Sequence, residues 1–385
     1  MRILHISASY LPATRYGGTI ISVHGLCSAL AARGHDVHVF TTSVDGPGDS
    51  AVPHDTPTML DGVTVWYFQS QFARRIYWAP HLARALDAQV AQFDVVHTHA
   101  VFLWPMWAAM ARAHQAQVPY VVSPRGMLEK DLIEQKSTAI KAALIGFMEK
   151  RYLERAAAIH ATSRREADEL RKFGFDLPPI YEVPNGVDLD LAGGAPSPAI
   201  HEALRGGPFA LFLGRISWKK GLDRVVAALT HARDLRVIVA GPDEAGHRRV
   251  VEELAARAGV RDRIVFVGDV RGADKTALLS SAMFLVLASY SENFGNVVLE
   301  SFAHERPVVV TPEVGLADCV RNEGAGLVVS GDPAALGGAL ATLAADAPLR
   351  AAMGARGRAA LEHFRWPSVA EGIEHIYDDI RARRH

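Results

Sequence analysis

Phe284-Leu285-Val286-Leu287-Ala288-Ser289-Tyr290-Ser291-Glu292-Asn293-Phe294-Gly295-Asn296-Val297-Val298-Leu299-Glu300 is the stretch whose reading decides the fold. Phe284 to Leu287 is a short apolar run of the kind that forms a strand buried on both faces. A polar loop follows, and the spacing predicts a helix opening near Gly295. Strand, loop and helix in this order make half of a βαβ unit, so a parallel sheet is expected. Glu292 falls at the strand's carboxyl end, where open parallel sheets bind their ligands. Gly295, Asn296 and Val297 would put backbone N–H groups at a helix N-terminus, which suits a phosphate. Glu300, eight residues after Glu292, lies within reach of ribose hydroxyls. Taken alone, the same residues also read as an acidic cap and a surface glutamate.

Working outward, the same alternation fills the chain. Ile3–Ile6, Val37–Thr41, Val63–Phe68, Val95–Val96, Tyr120–Val122, Ala158–Ala161 and Ile180–Val183 are expected strands in the N-terminal half. Phe209–Leu213, Arg236–Ala240, Ile264–Val267 and Val308–Val310 continue the series in the other half. Ser163-Arg164-Arg165-Glu166 has the form of a capping box and predicts a helix to about Phe173. Glycine and proline crowd residues 184–208, so two α/β units are expected: 1–190, then a linker over 191–208, then 209–365. Two parallel sheets facing each other would form a cleft, a preferred place for a ligand.

Composition narrows the function. Of 385 residues, 49% are hydrophobic and 22% charged, which is ordinary for a globular chain. With 41 basic and 42 acidic residues the net charge is -1, so bulk charge gives no reason to expect a nucleic-acid partner. Two distant cysteines, Cys27 and Cys319, make neither a disulfide framework nor a metal-ligand spacing, and suit a reducing cytoplasm. No apolar run reaches the ~18 residues that a membrane span needs. The expected location is cytoplasmic, with peripheral contact at the inner face of the membrane as a further option.

A second chemical signal is Leu213-Gly214-Arg215-Ile216-Ser217-Trp218-Lys219-Lys220-Gly221. An arginine fork and a lysine point charge in a strand–loop–helix turn can grip a diphosphate. By itself the segment also reads as a solvated basic loop. The first βα turn, Ser7 to Gly18, lacks G-x-G-x-x-G, which argues against a dinucleotide oxidoreductase.

Together the two segments resemble glycosyltransferase family four, the group 1 glycosyltransferases of bacterial polysaccharide type, which have the GT-B fold. Glu292 and Glu300 match the family's E-x7-E motif, and Gly214-Arg215 through Lys220-Gly221 match its donor-phosphate loop. Tyr16-Gly17-Gly18, Asp94-Val95-Val96-His97-Thr98-His99 and Pro184-Asn185-Gly186-Val187-Asp188 look like its other landmarks. The resemblance implies a metal-independent, retaining hexosyltransferase that uses no cofactor. The donor would be a UDP or GDP sugar, and the acceptor a glycan, a lipid-linked glycan or a small molecule. It implies that Arg215 and Lys220 bind the donor diphosphate, assisted by the amides of Gly295, Asn296 and Val297 beside Phe294. Glu292 would contact the transferred sugar and Glu300 the ribose. Gly17 and Gly18 would let the first loop approach donor and acceptor. His99 would orient a donor hydroxyl or polarise the site, with a buried hydrogen-bonded ring as its alternative; His97 reads as structural. The expected chemistry is front-face substitution, in which the leaving phosphate takes the acceptor's proton. Residues 366–385 would form a helix that packs back on the N-terminal domain, with Trp366 as its anchor.

Departures from the pattern are Val314-Gly315-Leu316-Ala317, where a Gly-Gly pair is frequent, Glu300-Ser301-Phe302, and His304-Glu305-Arg306-Pro307. They leave the donor base open. Arg125, in Ser123-Pro124-Arg125-Gly126, is a candidate for a negatively charged acceptor, or else the arginine of a structural turn. Residues 136–155 read either as a basic amphipathic helix for anionic lipid or as a helix packed on the core. Trp104 and Trp107 read as sugar-stacking or core residues. A GT-B nucleotide-sugar epimerase and a non-catalytic nucleotide-sugar-binding module are the competing functions.

Overall fold

The structure is a computed structural model and describes residues 1–13, 18–130, 148–188 and 193–383. The chain divides into two compact units, Met1–Gly186 with Trp366–His385, and Val187–Arg365.

The first unit contains β1 (Arg2–Ser9), β2 (Asp36–Thr42), β5 (Pro57–Leu60), β6 (Val63–Phe68), β7 (Val95–His99), β8 (Tyr120–Ser123), β9 (Ala158–Ala161) and β10 (Ile180–Glu182), besides a small hairpin of β3 (Val44–Asp45) and β4 (Gly48–Asp49). The large sheet runs β10-β9-β8-β7-β1-β2-β6-β5, parallel throughout except for β5. Alternation along β1 decides which core each residue joins. Leu4, Ile6 and Ala8 pack with Leu82, Leu86, Met106 and Met110 of the helices Pro80–Gln89 and Trp104–Gln115. Ile3, on the other face, joins Val23, Leu26 and Leu30 of helix Gly18–Ala32 and Ile373, Ile376 and Tyr377 of helix Trp366–Ala382.

The terminal helix belongs to this unit because its apolar positions recur at helical spacing, Val369, Ile373, Ile376 and Ile380. Trp366 seats its ring against the backbone of Gly25 and Gly186, and a Cβ at either glycine would fall inside the indole. Glu374 closes the contact by accepting from Arg33 Nε at 2.6 Å and Nη2 at 2.7 Å.

The second unit contains β11 (Ala210–Leu213), β12 (Val237–Ala240), β13 (Ile264–Gly268), β14 (Phe284–Leu287), β15 (Val308–Val310) and β16 (Gly326–Val328), in the order β13-β12-β11-β14-β15-β16. Every pair is parallel. This is the doubly wound order 3-2-1-4-5-6. Both faces are covered: Leu211 and Leu285 pack with Val298 and Phe302, while Phe212 and Val286 pack with Val225, Leu336 and Leu340.

The linker expected over 191–208 needs correction. Pro198–Arg205 is a helix of the second unit, with Pro198 in its first turn and Ile200 and Ala203 buried in that unit's core. Proline at a first helical position starts a helix as readily as it breaks one. β5 was also not expected. It pairs antiparallel with β6 through Asp61-Gly62, whose φ values of 48° and 81° are those of a tight hairpin turn. Among the described residues no helix is long and apolar enough to cross a membrane.

Candidate functional site

In an open parallel sheet the crevice forms where the strand order reverses. In the second unit that point lies between β11 and β14, and the two chemical loops of the sequence follow those strands. Lys220 and Glu292 meet there: Lys220 Nζ donates to Glu292 Oε2, and each side chain is only 17% exposed. Backbone constraint explains the meeting. Gly221 has φ 66°, and a Cβ on it would overlap the Ala288 carbonyl oxygen, so the β11 loop crosses directly over the end of β14. Tyr290 N–H donates to the Lys219 carbonyl at 2.8 Å. On the other side, Glu292 N–H donates to the Glu313 carbonyl at 3.1 Å and Gly315 N–H to the Glu292 carbonyl at 2.9 Å. A Cβ at Gly315 would collide with the Asn293 carbonyl, so the single glycine of the departing Val314–Ala317 segment stands where close approach demands one.

The other donor-loop residues surround this pair. Arg215 is exposed, with Nη1 3.5 Å from Glu244 Oε2, a weak surface pair that an anion can displace. Gly295, at φ 99°, caps helix Asn296–Ala303, so Asn296 and Val297 occupy its first turn. Phe294 is buried against Phe364, with ring centroids 6.4 Å apart. Glu300 lies on the same helix, 3.3 Å from Lys275 Nζ. Sequence reasoning missed Arg224, which donates to the carbonyls of Ala288 at 3.3 Å and Ser289 at 3.1 Å and lies 3.7 Å over the Tyr290 ring. Tyr290 in turn donates its hydroxyl to Asp223 at 2.6 Å. These contacts fix the loop that carries Glu292.

The first unit has its reversal point between β7 and β1, and a buried polar cluster sits there. His97 and His99 share one face of β7, with His5 of β1 beside them. Arg125 follows β8 at φ 56°, a left-handed conformation that costs a non-glycine residue free energy. Its Nη1 donates to Asn185 Oδ1 at 2.5 Å and its Nη2 to His99 Nδ1 at 3.1 Å. Among the described residues Arg125 has no ion pair. Nearby Glu166 spends its oxygens on the N–H of Gly126 and on the N–H and hydroxyl of Thr162. Burial pushes the Arg125 guanidinium down to about 10. It also pushes His5 and His160 down to about 3 and holds His97 and His99 well below 6.5, with the arginine's charge adding to each. All four rings are therefore neutral at pH 7.

The tautomers follow from Arg125, because a guanidinium only donates. His99 Nδ1 accepts, so the His99 proton is on Nε2, which donates to His5 Nδ1 at 2.8 Å. His99 thus has both ring nitrogens engaged and is 1% exposed, so it offers no free nitrogen to a donor hydroxyl. His97 meets the Tyr377 hydroxyl at 2.7 Å. His5, His97 and His99 are the described group whose spacing could surround a metal ion. They do not fit one. His99 has no lone pair left, and a cationic guanidinium lies 3.1 Å from its ring.

Gly17 lies outside the described residues; Gly18 is the first residue of helix Gly18–Ala32. Residues 136–147 of the basic stretch also lie outside them. Trp104 and Trp107 pack against the core, and Trp107 Nε1 donates to buried Glu149 at 2.7 Å. Burial raises the pKa of Glu149.

Comparison with known proteins gives consistent relatives. Residues 16–191 match the family described as Glycosyltransferase Family 4, and residues 207–346 that described as Glycosyl transferases group 1. The D-inositol 3-phosphate glycosyltransferase of Xylanimonas cellulosilytica is 30% identical, over 100% of this chain and 97% of its own. The protein of that name from Arthrobacter sp. is 31% identical, over 95% and 91%. Among solved structures, sucrose-phosphate synthase from Thermosynechococcus elongatus superposes with a TM-score of 0.77 at 23% identity, covering 99% of each chain. Anabaena HepE, in complex with UDP and glucose, gives 0.74 at 18% identity, covering 98% of this chain and 100% of its own.

Proposed function

Since the chain belongs to glycosyltransferase family 4 and is a glycosyltransferase of GT-B fold, we propose that it moves a hexosyl group from a nucleoside-diphosphate sugar onto a phosphate-bearing acceptor. Transfer proceeds with retention and without a metal ion. The observation that carries the donor half is the Lys220–Glu292 pair at the β11/β14 reversal point. A donor diphosphate, with its higher charge, competes with Glu292 for the Lys220 ammonium, and Arg215 turns from Glu244 to the same anion. The first-turn amides at Gly295–Val297 complete the cradle. Glu292, released, accepts hydrogen bonds from the sugar hydroxyls, and Glu300 from the ribose.

The acceptor oxygen forms its bond to the anomeric carbon on the face from which the phosphate departs. The C–O bond to the diphosphate breaks, and the acceptor's proton passes to the leaving phosphate oxygen. Lys220, Arg215 and the amides stabilise the charge growing there, which is the work otherwise done by a metal. Arg125 is the acceptor-anion residue. It is a desolvated cation without an ion-pair partner among the described residues, and the relatives' names specify a phosphorylated acceptor. His99 contributes by polarising that guanidinium. The acceptor belongs to glycan or glycoconjugate synthesis at the cytoplasmic side of the membrane.

The test is product analysis by NMR, with UDP-glucose or GDP-mannose as donor and D-inositol 3-phosphate among the acceptors, with and without EDTA. An α-linked product insensitive to EDTA is expected. An inverted linkage, or activity that EDTA abolishes and a divalent ion restores, would overturn the reading. An epimerised nucleotide sugar formed without acceptor would replace it with an epimerase.

A further inference from the structure

His5 touches neither solvent nor, in the reading above, any substrate, and it is fully buried in the middle of β1. Its ring is tilted by only 4° from that of His99, with centroids 5.2 Å apart, one step diagonally across the β1–β7 ladder, in which His5 faces His97 and Ser7 faces His99. Its Nδ1 accepts the one ring proton that His99 carries. If that acceptor is removed, the His99 Nε2–H is left buried without a partner, which is costly. The ring can then recover a partner for that proton only by turning or shifting within the cluster. Either movement takes Nδ1 out of line with Arg125 Nη2, and the guanidinium loses the acceptor that holds it.

We propose that His5 is a positioning residue for the transfer reaction: by holding the His99 ring in place it keeps Nδ1 aimed at Arg125 and so fixes the direction of the guanidinium. The relay runs His5 Nδ1, His99 Nε2–H, His99 Nδ1, Arg125 Nη2–H, and Asn185 holds the other end of the guanidinium at Nη1. Arg125 Nε is buried with no protein partner, so the group is held from two of its nitrogens with a donor left over. The inference rests on Arg125 as the acceptor-anion residue.

The experiment uses the full chain with His5→Leu, which removes the acceptor, His5→Asn, whose amide oxygen stands near the former Nδ1, Arg125→Ala, and the His5→Leu/Arg125→Ala double variant. Imidazole 15N spectra should show His99 protonated at Nε2 and bare at Nδ1 in the parent protein, and both resonances should move toward their unbonded positions in His5→Leu. Calorimetry with D-inositol 3-phosphate, and with inorganic phosphate as the minimal anion, should show binding about tenfold weaker in His5→Leu, the effect of one lost hydrogen bond. His5→Asn should recover most of it. UDP binding, read by thermal shift, should not change. In the Arg125→Ala background, His5→Leu should cost nothing further, because its effect runs through Arg125.

A His99 proton on Nδ1 in the parent protein overturns the relay. So does a His5→Leu effect that persists after Arg125 is removed, or one that equally weakens UDP binding. If the parent protein binds neither anion, or Arg125→Ala binds them unchanged, the reading of Arg125 fails and the proposal falls with it, while the tautomer spectra still report on the relay itself.

Discussion

The reversal points of the two sheets handle charge in opposite ways. In the second unit, Lys220 and Glu292 satisfy each other beside the exposed Arg215. In the first unit, one arginine sits among four neutral histidines with no ion pair among the described residues. A paired site can wait for an anion at little cost, because the ligand exchanges one counter-charge for another. A desolvated cation whose nearby carboxylate, Glu166, is engaged elsewhere is under electrostatic load, and an anion relieves it. The difference suits the proposed roles, a donor that binds and leaves on one unit and an anionic acceptor that needs a strong hold on the other.

The largest expected effect breaks the paired site. Lys220→Ala and Glu292→Gln should each lower kcat/KM by about 10²–10³-fold, the loss seen when one group that stabilises transition-state charge is removed. Steady-state kinetics with nucleotide-binding measurements should separate them: Lys220→Ala weakens UDP binding as well, whereas Glu292→Gln mainly lowers kcat. Next is Gly221→Ala, which puts a methyl group into the Ala288 carbonyl at φ 66°. It should cost more than about 2 kcal/mol in urea unfolding. A stable, fully active variant would show that the loop crossing does not hold the pair.

The neutral cluster predicts a pH dependence. Histidines in the unfolded chain titrate near 6.5, while His5 and His160 in the folded protein are pushed down to about 3. Between these values the unfolded state binds more protons, so stability is present above pH 6.5 and is lost as pH falls toward 3. His160→Gln, whose amide can still donate to the Val183 carbonyl as His160 Nε2 does at 2.8 Å, should show a shallower loss on acidification, read from urea midpoints against pH. The smallest effect is Ser163→Ala. Ser163 Oγ accepts the Glu166 N–H at 3.2 Å and caps helix Arg164–Arg171, which carries Glu166 to Gly126 beside Arg125. The loss should be about 1 kcal/mol.

The paired site was legible in the sequence because its chemistry sits in short loops after apolar strands, where charge and glycine stand out. That Lys220 reaches Glu292 was not, since it depends on β11 lying beside β14. His5 carried almost no signal: one polar residue in an apolar strand becomes meaningful only when β7 brings His99 to it. Asn185 was visible as part of the Pro184–Asp188 landmark but not as the second holder of Arg125. The helix Pro198–Arg205 was hidden because prolines and glycines around it read as linker, although Ile200, Ala203 and Leu204 repeat at helical spacing. β5 could have been found from Asp61-Gly62 between Leu60 and Val63, a strong hairpin signal.

The most direct measurement is the thermal shift caused by UDP, GDP and ADP, with and without EDTA, in the parent protein and in Lys220→Ala. At ~100 times its Kd the preferred nucleotide should add about 2.7 kcal/mol of stability to the parent protein. That gain should survive EDTA and largely disappear in Lys220→Ala. A parent protein stabilised by none of the three, or a Lys220→Ala variant stabilised as much as the parent, would contradict the assignment of the β11/β14 loops as the donor site.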